Sequence, residues 1–137
     1  MTRPLKVLIS GTGFAGQGHA DTFRNVGAEI VGMVGRTPSV LDSVASKKAI
    51  PYTNTDWEEA LADCQPDIVS IGTPGGAHYK TIIPAIQQGC HVYCDKPLSD
   101  TGASPLIAMI FSPITEVTIE ILCVKLLFNL PPPSSFL

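Results

Sequence analysis

The chain has 137 residues, of which 45% are hydrophobic and 15% are charged, and its formal net charge is −3 at pH 7. The length suits one globular domain, and the hydrophobic share excludes wholesale disorder. The chain has no excess of positive charge of the kind that nucleic-acid-binding surfaces carry. The four cysteines form no C-x-x-C pair, so we expect free thiols, no disulfide framework and no zinc site. The apolar run before Gly11 is too short for a signal peptide. We therefore expect a cytoplasmic protein without a membrane role.

Short apolar runs alternate with helical patterns through the first hundred residues. Strands are predicted at 5–10, 29–34, 67–71 and 91–94, and helices at 14–26, from Pro38 onward, after Thr55, and at 78–88. Strands that alternate with helices favour a parallel sheet covered on both faces. Right-handed crossovers then give a doubly wound α/β fold of the Rossmann type.

Several residues predict how the helices begin, end and pack. Gly27 suits the C-terminal end of the first helix, and Pro38 suits the first turn of the second. Thr55 to Glu58 has the spacing of a capping box for the third helix. Pro84 is expected to kink the fourth helix or to lie in its first turns. The second helix is expected to bury one face, formed by Val40, Leu41, Val44 and Ala45.

The composition changes near residue 100. Residues 101–137 contain only three charged residues, namely Glu116, Glu120 and Lys125. We therefore predict a dinucleotide-binding domain at 1–100 and an atypical apolar tail at 101–137. Residues 106–111 and 117–124 could each replace a missing edge strand, but their periodicity fits helix and strand equally. We expect the tail to pack loosely, partly as a helix across the sheet edge, with self-association through that edge or the tail.

A glycine-rich sequence follows the first predicted strand. Gly11, Gly13 and Gly16 match G-x-G-x-x-G, with Phe14 and Ala15 between the last two glycines, and we predict that all five residues contact a bound nucleotide cofactor. In a strand-loop-helix context, the first glycine permits the tight turn, the second lets the backbone approach a pyrophosphate, and the third permits close helix packing. The helix N-terminus offers N–H groups and partial positive charge to phosphates. Methyltransferases that bind S-adenosylmethionine also use glycine-rich loops, so the motif alone does not name the ligand.

The end of the second predicted strand bears on the choice between NAD and NADP. It reads Gly35-Arg36-Thr37, where NAD-binding proteins carry an Asp or Glu for the ribose hydroxyls. Arg36 can pair with a 2′-phosphate and stack on adenine, and Thr37 can donate a hydrogen bond to the phosphate. The sequence favours NADP, with NAD as the alternative cofactor. The competing interpretation is a solvated arginine in a turn before Pro38.

Two further motifs follow at ordered spacing. Residues 73–78 read Thr-Pro-Gly-Gly-Ala-His, and residues 85–97 contain Ala-x-x-x-Gly-Cys-His-Val followed by Asp-Lys-Pro. Together with the glycine loop, they resemble the Gfo/Idh/MocA family of oxidoreductases over residues 4–100. Gly75, Cys90 and Asp95 replace the Asn, Lys and Glu that are usual in that family.

The resemblance implies oxidation or reduction of a sugar, polyol or related substrate by hydride transfer with a pyridine dinucleotide. It implies that Lys96 is catalytic, close to the nicotinamide and the reacting oxygen, and that Lys96 also contacts the cofactor. It further implies cofactor contacts from Thr73, Pro74, His78 and Asp95, although a structural role for His78 fits the sequence nearly as well. A surface charge at a strand end is the alternative for Lys96.

The family's second domain, which supplies most substrate contacts, is not recognisable in residues 101–137. We therefore expect a truncated or frameshifted cofactor domain that is inactive alone. The alternative from another functional class is a non-catalytic dinucleotide-binding or regulatory module. A methyltransferase-like nucleotide fold is the third possibility, and the Asp95-Lys96-Pro97 turn argues against it.

Overall fold

A computed structural model of the protein describes residues 3–74, 78–95 and 121–123. Strands and helices alternate along the chain as the hydrophobic pattern predicts. The strands are β1 (Lys6–Ser10), β2 (Glu29–Val34), β3 (Thr53–Asn54), β4 (Ile68–Ile71), β5 (His91–Asp95) and β6 (Ile121–Cys123). The helices are α1 (Phe14–Asn25), α2 (Pro38–Lys48), α3 (Trp57–Cys64) and α4 (His78–Gln87).

The strands form a 6-stranded sheet in the order β3-β2-β1-β4-β5-β6. Strands β1 to β5 are parallel, whereas β6 is antiparallel to β5. The chain order reverses direction between β1 and β4, which is the switch point of a doubly wound sheet. The prediction of a Rossmann-type α/β fold is confirmed.

Two apolar clusters cover the two faces of the sheet. Alternate residues of β1 face opposite sides, so Leu8 belongs to one cluster while Val7 and Ile9 belong to the other. Helices α3 and α4 supply Leu61 and Ile82 to the first cluster, and α1 and α2 supply the helical residues of the second. The residues of β1 from Val7 onward are buried, which explains the nearly continuous apolar run in the sequence.

The structure corrects two local predictions. Asp56, not Thr55, caps α3, because its side chain accepts a hydrogen bond from the Glu59 N–H at 2.9 Å. Val40 is 45% exposed, so the buried face of α2 consists of Leu41, Val44 and Ala45. The predicted proline at the start of α2 is confirmed.

The described part of the tail is a strand. Residues 121–123 pair with β5 through Tyr93↔Cys123, Cys94↔Leu122 and Asp95↔Ile121. These residues lie within 117–124, one of the two segments predicted as substitutes for the missing edge strand, so the strand alternative holds at these three positions and the helical one does not. The predicted domain boundary at residue 100 lies outside the described residues. No helix in the described ranges is long and apolar enough to cross a membrane.

An ion pair closes the edge of the sheet where the parallel strands begin. The guanidinium of Arg3 donates two hydrogen bonds to Asp67, at 2.7 and 2.8 Å, and the Lys6 N–H donates a third at 2.8 Å. Hydrogen bonding from Arg3, with a further contribution from Lys6, lowers the pKa of Asp67 to about 2. This contact fixes the start of β1 beside β4, at the edge opposite the glycine loop.

Candidate functional site

The loops after β1, β2 and β4 meet at the carboxyl edge of the sheet. The Gly11 N–H donates to the Val34 carbonyl at 2.9 Å, which joins the first loop to the end of β2. The Gly72 N–H donates to the Ser10 carbonyl at 2.8 Å, which joins the end of β4 to β1. In doubly wound sheets, this edge beside the switch point is where ligands bind.

The N-terminus of α1 opens onto this edge. Gly13 is its N-cap, with no side-chain cap hydrogen bond and no acidic residue in the first turn. The first N–H groups of a helix have no carbonyl partner within the helix. This end of α1 therefore presents N–H donors and the positive end of the helix dipole to an anion.

The three glycines of the loop have different structural roles. Gly11 has φ +111°, and a Cβ there would lie 2.9 Å from the Gly72 carbonyl oxygen. A Cβ on Gly16 would overlap the Gly11 carbonyl. A Cβ on Gly13 would meet no atom of the described residues within 4 Å, so no contact with them requires a glycine at that position. The open space above Gly13 is where the motif places a pyrophosphate.

Gly72 is a part of the site that sequence reasoning missed. A Cβ on Gly72 would lie 2.6 Å from the Gly16 nitrogen and 2.9 Å from its Cα. The end of β4 therefore touches the start of α1 directly. Gly16 was predicted to let α1 pack against the sheet; its close neighbours are Gly11 and Gly72, in the two loops at the sheet edge. The only sequence signal was a glycine directly after the β4 apolar run.

The segment after β2 lies beside the glycine loop. A Cβ on Gly35 would meet the Thr12 side chain at 2.6 Å, and the Gly35 N–H donates to the Asn54 carbonyl at 3.3 Å. Arg36 and Thr37 are exposed, and Thr37 is the N-cap of α2 without a side-chain cap hydrogen bond. Both side chains stand at the edge where the second strand ends.

Phe14, Ala15 and Pro74 complete the described rim. Phe14 is 97% exposed, Ala15 is half-buried, and Pro74 is exposed. The prediction that these residues contact the cofactor stays a prediction. Among the described residues, no group of three or more His, Cys, Asp or Glu side chains could hold a metal ion.

Thr73 carries an unpaired polar atom at the same edge. Its Oγ1 is buried and has no hydrogen-bond partner within the described part of the chain. Buried hydroxyls normally have a partner, and leaving one without a partner costs about 1–3 kcal/mol. An orphan hydroxyl beside an open glycine loop fits a dinucleotide-binding groove.

His78 is buried beneath this edge. It is 1% exposed, and its ring joins the Thr73 carbonyl to the Cys94 thiol. The structural role considered for His78 is therefore present, and its predicted cofactor contact stays a prediction. Asp95 ends β5, but its side chain lies outside what the structure describes, as does the whole of Lys96.

His19 links α1 to the two neighbouring strands. Its Nδ1 is hydrogen-bonded to the Ser70 Oγ at 2.8 Å, and its ring packs edge-on against Tyr93 with centroids 5.1 Å apart. Phe23, one turn further along α1, contacts the same tyrosine ring at 5.1 Å. These contacts orient α1, and with it the N-terminus that faces the groove.

Residues 5–108 match the family described as the oxidoreductase family with an NAD-binding Rossmann fold. A 4-carboxy-2-hydroxymuconate-6-semialdehyde dehydrogenase from a Sphingobium species is 33% identical over 100 residues, covering 72% of this chain and 32% of that protein. An inositol 2-dehydrogenase from Corynebacterium glutamicum is 31% identical over 110 residues, covering 77% of this chain and 32% of that protein. The chain thus spans about a third of the length of the curated relatives it matches.

Solved structures show the same likeness. The scyllo-inositol dehydrogenase from Lactobacillus casei with bound NAD(H) and scyllo-inositol matches with a TM-score of 0.65 and 25% identity. That match covers 71% of this chain and 29% of the dehydrogenase. With the ordered motifs, the doubly wound sheet and a sequence match over most of its length, the chain belongs to the Gfo/Idh/MocA oxidoreductase family, through that family's NAD-binding Rossmann fold.

Proposed function

We propose that this chain binds a pyridine dinucleotide across the carboxyl edge of its sheet, with the pyrophosphate at the N-terminus of α1. The observation that carries the proposal is the open space above Gly13, where a Cβ would meet no atom of residues 3–74, 78–95 and 121–123 within 4 Å. The neighbouring Gly11 and Gly16 are constrained by backbone contacts, whereas Gly13 is not. A glycine without an internal packing reason, at an uncapped helix start, is explained by close approach of a phosphate.

The preferred cofactor in this proposal is NADP. The segment Gly35-Arg36-Thr37 lies beside the loop and contains no carboxylate that would repel a 2′-phosphate. The exposed Arg36 offers a charge-assisted contact, and the Thr37 hydroxyl is not used as a helix cap. One relative, a D-xylose 1-dehydrogenase from Haloferax volcanii, is named for NADP(+), whereas the solved inositol dehydrogenase holds NAD(H). The relatives thus include both cofactor types, so Arg36 carries the argument.

The reaction we propose for the whole protein is oxidation or reduction of a sugar, polyol or related hydroxy compound. When bound, the dinucleotide supplies the hydride acceptor or donor. In this proposal Lys96, the next residue in the sequence after β5, polarises the reacting oxygen, as the family resemblance implies. The two inositol dehydrogenases and the other sugar dehydrogenases among the relatives support this substrate class. A cytoplasmic location and association through the sheet edge stay predictions from the sequence.

Calorimetric titration of the chain with NADP and with NAD tests the binding proposal. We expect saturable one-site binding of both, with NADP bound more tightly. No binding of either dinucleotide would overturn the proposal, and tighter binding of NAD would overturn the assigned preference. S-adenosylmethionine serves as a negative control, because a methyltransferase-like site would bind it instead.

A further inference from the structure

His78 connects two strand ends that form one side of the proposed groove. Its Nε2 lies within hydrogen-bond distance of the Thr73 carbonyl, in the loop after β4. Its Nδ1 lies 3.3 Å from the Cys94 Sγ, in β5 one residue before that strand ends. His78 is 1% exposed and Cys94 is 2% exposed, so bulk water does not compete for either hydrogen bond.

The two partners assign the tautomer of the imidazole. A backbone carbonyl can only accept a hydrogen bond, so Nε2 carries the proton and donates to the Thr73 carbonyl. In the neutral ring, Nδ1 is then an acceptor, and the Cys94 Sγ lies close enough to donate its S–H to it. Thr73 and Cys94 therefore favour the same neutral tautomer.

The contact with Thr73 bears on the cofactor because Thr73 also carries the buried hydroxyl that has no hydrogen-bond partner among the described residues. The 2′-position of the adenosine ribose is read after β2, so the other mononucleotide half lies on the β4 side of the switch point. Thr73 follows β4 and lies beside Gly11: a Cβ on Gly11 would come within 3.3 Å of the Thr73 nitrogen. The position of Thr73 therefore affects the nicotinamide half more than the adenosine half.

We propose that His78 is a positioning residue for dinucleotide binding: its Nε2–H donates to the Thr73 carbonyl and holds Thr73 where the Thr73 hydroxyl meets the nicotinamide half of the cofactor. This inference rests on the proposed function, because it assumes that a dinucleotide occupies the groove. It differs from the sequence prediction in that His78 acts through Thr73 and not by direct contact.

Two conservative substitutions separate the two hydrogen bonds. In His78→Gln, the side-chain amide nitrogen can replace Nε2 and donate to the Thr73 carbonyl, but the Cys94 thiol loses its acceptor. In His78→Asn, the side-chain oxygen can replace Nδ1, but the Thr73 carbonyl loses its donor. Both variants remove the ring and place an uncharged amide in the same site, so they are matched controls for each other.

Binding is measured with two probes, NADP and 2′,5′-ADP, which lacks the nicotinamide half. We expect His78→Asn to weaken the binding of NADP by about fivefold to tenfold, as loss of one hydrogen bond at the groove implies. The affinity for 2′,5′-ADP should change by less than about twofold. We expect His78→Gln to stay within about twofold of the parent for both probes. An equal loss of affinity for both probes in His78→Asn, or no loss of affinity for either, would overturn the inference.

A measurement on the parent chain tests the tautomer without any variant. Long-range ¹⁵N–¹H correlation spectra of the histidine rings at neutral pH should show His78 neutral with the proton on Nε2, and Cys94→Ala should shift only the Nδ1 side of that pattern. A proton on Nδ1 in the parent would contradict the inference even if both His78 variants failed to fold. If the parent binds neither NADP nor 2′,5′-ADP, the proposed function fails. If the parent binds both and the His78 variants bind them with unchanged affinity, only the positioning role is refuted.

Discussion

Replacing Gly13 with valine should abolish most dinucleotide affinity while leaving the fold intact. Gly13 has φ −77° and ψ −170°, an extended conformation that any residue adopts, and within the described part of the chain an added Cβ would meet no atom closer than 4 Å. The cost to stability is therefore that of a poorer N-cap, about 1 kcal/mol. The side chain would occupy the space above the helix start. A displaced pyrophosphate would lose one charge-assisted hydrogen bond of about 1.5–3 kcal/mol, which is roughly 10-fold to 150-fold in affinity.

Two other glycines provide controls for this experiment. Gly18 lies on α1, and its added Cβ would likewise meet no described atom within 4 Å. Gly18→Ala should therefore leave NADP affinity unchanged and raise stability by about 0.5–1 kcal/mol. Gly16→Ala should lower stability, because its Cβ would overlap the Gly11 carbonyl. Affinity is measured by calorimetry and stability by urea unfolding. A Gly13→Val chain that is folded and binds NADP as tightly as the parent would refute the placement of the pyrophosphate.

Three further predictions follow from the described contacts. Arg36→Ala should weaken the binding of NADP by roughly 10-fold to 150-fold and the binding of NAD far less. The charge-matched control Lys47→Ala, on the exposed side of α2, should change neither affinity. Equal losses of affinity for both cofactors would argue against a 2′-phosphate contact. Asp67→Asn should cost about 0.5–1 kcal/mol at pH 7, because the Arg3 side chain is 65% exposed and solvent screens its pairing with Asp67. The pKa of Asp67 is lowered in the folded state, so the stability that Asp67 contributes is present above about pH 4 and is lost as the pH falls toward 2. Unfolding curves from pH 2 to 7 should therefore show the parent to be more stable than Asp67→Asn only at the higher pH values, with Asp42→Asn as the control. Deleting residues 101–137 removes β6 and uncovers the β5 edge, so sedimentation should show more self-association of the shortened chain than of the full chain. The apolar composition of the tail predicts the reverse. Stronger association of the full chain would therefore mean that β6 does not protect the edge.

Much of the fold could be predicted from the sequence because its elements have strong local patterns. The predicted bounds of β2 match the observed Glu29–Val34, since a buried apolar run between Gly27 and Gly35 has few alternatives. The cap of α3 was misplaced by one residue, because Thr55 and Asp56 are both good caps and the backbone path from Asn54 decides between them. The described tail strand was not assigned because Ile, Val and Thr fit either element, and its pairing with β5 is a tertiary contact.

The candidate site could be located from sequence motifs, but its internal contacts could not. G-x-G-x-x-G is a local motif, so it placed the loop after β1 without knowledge of the sheet. The approach of Gly72 to Gly16 joins residues far apart in sequence, and only the order of strands brings them together. The same holds for the contact between Cys94 and His78: the motif at 73–78 identified His78, but nothing in the sequence paired it with Cys94.

A crystal structure of the full chain with NADP tests the central claim most directly. The account predicts the pyrophosphate at the N-terminus of α1 above Gly13, the 2′-phosphate beside Arg36, and the nicotinamide half on the β4 side, next to Thr73. A dinucleotide bound elsewhere, or one whose pyrophosphate does not contact the first turn of α1, would contradict it.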